Sequence, residues 1–459
     1  MLRSIPYPFT FSILFSLFFL ICSVFSPLAS GQEQESSGGN WPQFRGPGSR
    51  GVASDNLPLE WSATKNVEWK TDLPGRGWSC PIVWGDRVFV TTVVNHGKTE
   101  ALKKGLYFGG DRHEIAESRH DWKVLCLSLS TGELLWEKTV HSGRPETPIH
   151  IKNSYASETP VTDGEFIYAC FGNVGIFCLD FEGGEIWKHE LKACPTRLDY
   201  GPSASPAIHG DRIYYVYDND EDSYLLALDK KTGEQTFRIS RDEKSNWATP
   251  FVWENPVRTE IITPGTGAIR SYDLDGKLLW EIKGMSSHTI ATPYEADGLL
   301  FVSSGYVAGK IKVVYAIKPG GRGDLTLKEG QTSSEFIAWY DNNIAPYNPS
   351  TLVHDGFLYV LLDRAIFGAY DAKSGKAHYD RQRLPRSAGV TASPWASGNH
   401  IYCLNEDGVC YVLKAGDTFE VLYQNHLEAG ELCMSSPAIA GDRLLIRTDK
   451  RLYSIRNSD

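Results

Sequence analysis

Residues 205–217 read SPAIHGDRIYYVY, and this stretch sets the pattern from which the rest of the chain is parsed. A Ser-Pro pair is followed by two apolar-facing positions, a Gly-Asp turn and an alternating strand. The same unit begins at Cys80-Pro81 before WGDRVFV, at Thr159-Pro160 before TDGEFIYA, and again at Thr249-Pro250, Thr292-Pro293, Ser393-Pro394 and Ser436-Pro437. Ser350-Thr351 opens an eighth copy, HDGFLYV, with Thr in the proline slot. Successive starts lie 79, 46, 44, 43, 58, 43 and 43 residues apart, the length of one four-stranded propeller blade with two insertions. The spacing predicts an all-β, eight-bladed β-propeller with antiparallel blades.

The second half of the unit repeats as well. A glycine turn is followed four residues later by an aromatic: Gly132 and Trp136, Gly183 and Trp187, Gly233 and Phe237, Gly276 and Trp280, Gly375 and Tyr379. The glycine suits a tight turn between the third and fourth strands, and the ring beyond it is placed to wedge between blades. Strands such as Arg212-Ile213-Tyr214-Tyr215-Val216 are apolar on both faces, as sheets stacked against two neighbours must be. The last copy runs only from Ser436 to Ile455, too short for a fourth strand. Residues 66–70, NVEWK, lie before the first copy and carry Trp69 where a closing strand needs it, so they are expected to complete blade 8 and remove its open edge.

Residues 1–31 read as a Sec-type export signal: Arg3 precedes an apolar run from Phe9 to Phe25, followed by Pro27, Ala29, Ser30 and Gly31. That reading divides the chain into a signal (1–31), an N-terminal extension (32–60) and the propeller (61–459), with the mature protein periplasmic or extracellular. No later stretch is apolar enough to span a bilayer. At 41% hydrophobic and 12% aromatic the chain can fill a large core, and a net charge of −10 without a basic cluster argues against nucleic acid. Export would permit disulfides among Cys80, Cys126, Cys170, Cys178, Cys194, Cys403, Cys410 and Cys433, but their strand positions favour buried thiols. Cys403 and Cys410 flank the turn at Asn405-Glu406-Asp407-Gly408, where the register is open between facing cysteines and Cys410 opposite Asn405.

The repeat resembles the PQQ-like (quinoprotein-type) propeller family, whose blades end in an Ala-Leu-Asp-x-x-Thr-Gly-x-x-x-Trp element. Ala227-Leu228-Asp229 with Thr232-Gly233, and Ala369-Tyr370-Asp371 with Gly375, carry the likeness. Trp41-Pro42-Gln43-Phe44-Arg45-Gly46-Pro47 is similar to the opening of secreted bacterial members. The resemblance implies one of two functions. One branch uses PQQ with Ca²⁺ to oxidise alcohols or sugars; the other, which includes the outer-membrane assembly factor BamB, binds other envelope components without catalysis. This chain lacks the adjacent cysteines and the Cys-x-x-Cys-His haem motif of many enzymes in the first branch, and the family's calcium ligands find no matching positions. The expected role is therefore a BamB-like scaffold for an envelope protein, peptide or glycan, working as a single ring, with a diverged quinoprotein dehydrogenase as the alternative.

In such a ring the segments before each innermost strand converge on one channel mouth. Here they are polar and aromatic: Arg76, Trp78, Ser79, Asn153, Tyr155, Glu158, Asp199, Tyr200, Asn246, Trp247, Ser287, His288, Tyr347, Asn348 and Thr391. Arg76, Trp78, Asn153, Tyr155, Glu158, Asn246, Trp247, His288, Tyr347 and Asn348 are the candidates for holding a planar polar cofactor such as PQQ. Glu158, with Asn246 or Asn153, is the candidate Ca²⁺ ligand set. No catalytic residue is assigned. The insertion at 95–121 holds His96, Asp111, His113, Glu114 and His120 in no compact zinc spacing and reads as a charged loop. A second, Gly-rich insertion spans 318–335.

Overall fold

The computed structural model describes residues 39–53, 56–107, 114–387 and 389–458; residues 1–31, expected from the sequence to be an export signal, lie outside them. Among these residues thirty-four strands form eight sheets, each built on four antiparallel strands that come from one repeat copy in every blade but the eighth, and two short 3-10 turns lie outside them. Blade 3 shows the order: Ala207–His209 innermost, then Arg212–Tyr217, Tyr224–Asp229 and Gln235–Ser240 outermost. The eight-bladed expectation is met, and so is the closure. Val67–Asp72 pairs antiparallel with Arg451–Ile455, with Trp69 opposite Ser454, as the fourth strand of blade 8.

The aromatic wedge has a specific geometry that crosses from one blade to the next. The Trp69 indole donates to the Leu129 carbonyl in the turn of blade 1 (2.8 Å), Trp136 to Phe181 in blade 2 (2.8 Å), Trp187 to Lys230 in blade 3 (3.0 Å), and Trp339 to Ala372 in blade 6 (2.9 Å). Each ring lies on the turn glycine of the blade it reaches. At Gly132, where φ is +73°, a Cβ would stand 2.5 Å from Trp69 Cδ2, so the residue is required both for its backbone angle and for the space. Trp280 departs from this pattern. Its indole turns to Glu260 Oε2 of its own blade (2.6 Å), because the 318–335 insertion replaces the neighbouring turn. That insertion instead lays Gly323–Asp324 parallel to Leu278–Lys283 as a fifth strand, covering the outer edge of blade 4.

All eight cysteines of the described residues are buried and unbridged. Cys410 pairs opposite Leu404 and Cys403 opposite Tyr411, which sends the two thiols to opposite faces of blade 7 and into different inter-blade cores. Both registers considered from the sequence are one position out, because the turn is closed by Asn405 N–H to the Val409 carbonyl.

The described part of residues 32–60, the stretch expected to be an extension ahead of the ring, runs through it. Trp41 pairs with Val83 on the inner edge of blade 1, and the Pro42 carbonyl accepts from Thr162 of blade 2. Arg45 then lies over the Tyr294 ring of blade 5 at 5.2 Å, and Val52–Ala53 pairs parallel with Trp395–Ser397 of blade 7. The segment thus bridges inner strands from one side of the lumen to the other before Trp61 stacks on Tyr402 and the chain enters blade 8.

Candidate functional site

The start residue of each repeat has a structural task that explains its identity. Innermost strands have no partner toward the axis, so their first N–H groups would be left unpaired. Six of the eight are met by the side chain of the next start: Cys80 N–H donates to Thr159 Oγ1 (3.0 Å), Thr159 to Ser205 (2.9 Å), Ser205 to Thr249 (3.0 Å), Thr292 to Ser350 (3.0 Å), Ser350 to Ser393 (2.9 Å) and Ser393 to Ser436 (2.9 Å). At Cys80 a thiol stands in for the hydroxyl, facing the Ser436 backbone. This is why Ser350-Thr351 keeps the serine and forgoes the proline.

All eight start residues line one cavity of about 270 Å³ on the propeller axis. Phe44, from the segment threaded through the lumen, also lines it, so the channel becomes a cup with a floor. The rim is aromatic. Ring contacts run continuously from Tyr107 to His150 (5.5 Å), Tyr200 (5.0 Å), Trp247 (5.9 Å), His288 (5.6 Å, interplanar 5°), Tyr306 (4.2 Å) and Tyr347 (5.2 Å). His288 is held between Trp247 and Tyr306, and burial depresses its pKa to about 4, which keeps this imidazole uncharged near neutral pH.

The 95–121 insertion contributes to the site. It separates Arg87–Asn95 from His120–Ser128, as its position in the sequence predicts, and it reaches over the mouth to blade 7. Gly105 N–H donates to Glu406 Oε2 (2.7 Å), and Lys152 bridges the Gly105 carbonyl (2.9 Å) and Glu406 Oε1 (2.6 Å), which also accepts from Thr391 (2.7 Å). Leu106 and Tyr107 thereby join the lining. Its histidines are engaged otherwise: His96 pairs with Asp121 (2.7 Å), and His120 Nδ1 lies 2.9 Å from the Ser118 carbonyl. Asp111 and His113 lie outside the described residues.

Of the residues expected at the mouth, Trp78, Asn153, Tyr200, Trp247, Tyr347, Asn348 and Thr391 line the cup. The others sit elsewhere. Arg76 reaches outward to the Glu100 carbonyl (2.6 Å). Tyr155 turns into a cleft between blades 1 and 2 with Trp122, its hydroxyl on the Thr147 carbonyl (2.8 Å). Ser79 is buried against Arg447 (2.6 Å), and Ser287 lies beside His288 Nδ1 (3.0 Å) in the layer behind the rim. Asn246 donates to Asp218, which forms a buried ion pair with Arg241 (2.8 Å). Glu158 faces between blades 2 and 3, accepting from Gly172 N–H (2.9 Å); burial without a cationic partner raises its pKa to about 7. Glu158 and Asn246 thus belong to separate buried environments. Phe44, Tyr107, His150, Lys152 and Glu406 complete the site without having been singled out in the sequence.

A Ca²⁺-bound quinone, the cofactor of the family's enzymatic branch, does not fit these residues. Such an ion takes roughly six to eight oxygen ligands, with carboxylates among them. No carboxylate side chain lines the cup among the described residues, and among them no three His, Cys, Asp or Glu side chains group as metal ligands. Glu406, at the edge of the site, is already satisfied by Lys152, Gly105 and Thr391.

A closed eight-bladed ring with inter-blade indole hydrogen bonds and an axial cup defines a propeller of the PQQ-like repeat type. The chain belongs to that family: the family described as outer membrane protein assembly factor BamB matches residues 93–239 and 175–333, together more than half of it. Outer membrane protein assembly factor BamB of Kangiella koreensis is 26% identical over 165 residues, which cover 29% of this chain and 42% of that protein. The match therefore spans less than half of that relative. Among solved structures, BamB from Moraxella catarrhalis superposes with a TM-score of 0.52 at 13% identity, covering 72% of this chain and 91% of that one. The quinohemoprotein alcohol dehydrogenase ADHIIG from Pseudomonas putida HK5 gives 0.59 at 12% identity, covering 91% and 80%. Both branches share the architecture, so the fold leaves the choice between them to the site.

Proposed function

We propose that this protein is a non-catalytic binding module of the cell envelope, exported by its amino-terminal signal and using the axial cup and its rim to hold another envelope component. The observation that carries this reading is the lining of the cup: aromatic faces, hydroxyls and amides around a floor made by the chain itself, with its one lysine neutralised by Glu406. Such a surface binds and orients but offers no activated nucleophile, no general acid-base pair and no oxygen cage for a divalent ion. The BamB-like repeats agree with this role. The competing reading, an alcohol or sugar dehydrogenase, rests on the architecture shared with the quinohemoprotein enzymes. Calorimetry of the purified protein with PQQ and Ca²⁺, followed by an alcohol and sugar panel with an artificial electron acceptor, decides between them. No cofactor binding and no dye reduction is the expected result; tight binding with reduction would overturn the proposal.

A further inference from the structure

We infer that the cup takes a neutral oligosaccharide, which specifies the ligand class of the binding role proposed above and rests on that reading. Three features of the wall point to sugar. The first is the hydroxyl belt. A serine or threonine oxygen that accepts a backbone N–H still has its own hydrogen to donate and a second lone pair. At Thr159, Ser205, Thr249, Ser350, Ser393 and Ser436 the backbone bond comes from the neighbouring blade, and each side chain lines the cup. A ring of groups that both donate and accept complements the hydroxyls of a saccharide.

The second feature is the aromatic arc. Tyr200 and Tyr347 line the cup half-buried and are braced by Trp247, His288 and Tyr306 through ring contacts of 4.2 to 6.3 Å. Rings fixed in this way offer apolar faces at little entropic cost, the surface against which the C–H face of a pyranose packs. The amides of Asn153 and Asn348 line the cup as well, from opposite sides of the ring. Asn348 is fixed by Asp363, which accepts from its backbone N–H (2.9 Å) and its side-chain amide (2.7 Å).

The third feature is charge. Lys152 is the only charged side chain among the described residues of the lining, and its ammonium lies 2.6 Å from Glu406. An acidic sugar or a phosphorylated ligand would be desolvated here without a free cation to meet it. A peptide strand is disfavoured for a different reason. Of the backbone edge that strand addition needs, six start N–H groups are already capped by the hydroxyl belt, and the inner strands of blades 1 and 7 are already paired by the threaded segment. At about 270 Å³ the cup is near the lower end of ordinary small-ligand pockets, roughly 300–1,000 Å³, so it suits the end of a saccharide chain, with further rings lying at the aromatic rim.

The test uses the full mature chain. Neutral tetrasaccharides of glucose, mannose, galactose and xylose are titrated with tryptophan fluorescence and calorimetry as readouts, and glucuronate-containing tetrasaccharides serve as the charged comparator. At least one neutral tetrasaccharide is expected to bind reversibly and be recovered unchanged, with Tyr200→Ala weakening it tenfold or more. Saturation-transfer NMR on the wild-type protein, where aromatic protons should saturate the sugar ring protons, keeps the inference testable should that variant fail to fold. Absence of binding by every neutral sugar, or preference for the glucuronates, overturns the saccharide assignment; the binding role then still stands if the protein crosslinks to another envelope component. Oxidation of a bound sugar with dye reduction in the presence of PQQ and Ca²⁺ would overturn both.

Discussion

Replacing Glu158 with glutamine separates the cost of burying a charge from the hydrogen bond that the side chain makes. The glutamine oxygen can still accept from Gly172 N–H, so the contact at 2.9 Å survives while the ionisable group is removed. In the folded protein Glu158 faces Cys170, Tyr215 and Tyr217, none of which is cationic, and its pKa rises from an ordinary 4.5 to about 7. Between those two values the folded state keeps a proton that the unfolded chain has released, so wild-type stability must fall as pH rises. At roughly 1.4 kcal/mol per pH unit the loss is about 3 kcal/mol by pH 7.5, after which it levels off. Urea unfolding of the two proteins from pH 4.5 to 9 should therefore converge at the acid end and separate toward neutrality. With a slope of roughly 3 kcal/mol/M, the variant should unfold about 1 M later at pH 8. Parallel profiles, or a wild type that gains on the variant as pH rises, would refute the uncompensated burial inferred for this carboxylate.

Trp69→Ala removes the indole that fastens blade 8 to blade 1 and leaves the Leu129 carbonyl without its partner. A loss of about 3–5 kcal/mol is expected in chemical denaturation, and an unchanged midpoint would count against ring closure at this point. Glu406→Gln withdraws the counter-charge of Lys152 and loosens the insertion from blade 7. Hydrogen exchange should accelerate at Gly105 and its neighbours while the blade strands stay protected; uniform protection would contradict the clasp. All eight thiols are held above their ordinary pKa chiefly by burial, so they should resist a thiol reagent in the native protein and all react in denaturant without prior reduction. A thiol that appears only after reduction would reveal a bridge.

The ring was readable because its blades are copies. The recurrence of Ser/Thr-Pro and of glycine with an aromatic four residues on supplies both the count and the strand that closes it. What repetition did not reveal is where each aromatic goes: Trp136 docks on the turn of the following blade, a relation between copies that no single copy contains. The site was half legible. Trp78, Asn153, Trp247, Tyr347 and Asn348 were found from their place before the innermost strands, but two residues can share that place and point opposite ways, as Asn246 and Trp247 do. Glu158 looked like a channel carboxylate until its neighbour Gly172 drew it inward. Phe44 and Glu406 were not recognisable at all, since one comes from a segment outside the repeat and the other from a turn whose partner belongs to an insertion some 300 residues earlier. The Ser/Thr starts were used only as markers of period, although six of them accept a backbone hydrogen bond from the preceding blade, a task that explains a hydroxyl there.

The fastening of Val67–Asp72 to Arg451–Ile455 also sets an order of events during synthesis. The early strand emerges long before its partner exists, and the segment ahead of it needs surfaces on blades 1, 2, 5 and 7 at once. Until the last repeat has left the ribosome, this front portion has no stable docking place, and its Trp41, Trp61 and Trp69 remain available to chaperones. Assembly of the ring is therefore a late and cooperative step, and an interrupted chain would betray itself by those exposed indoles.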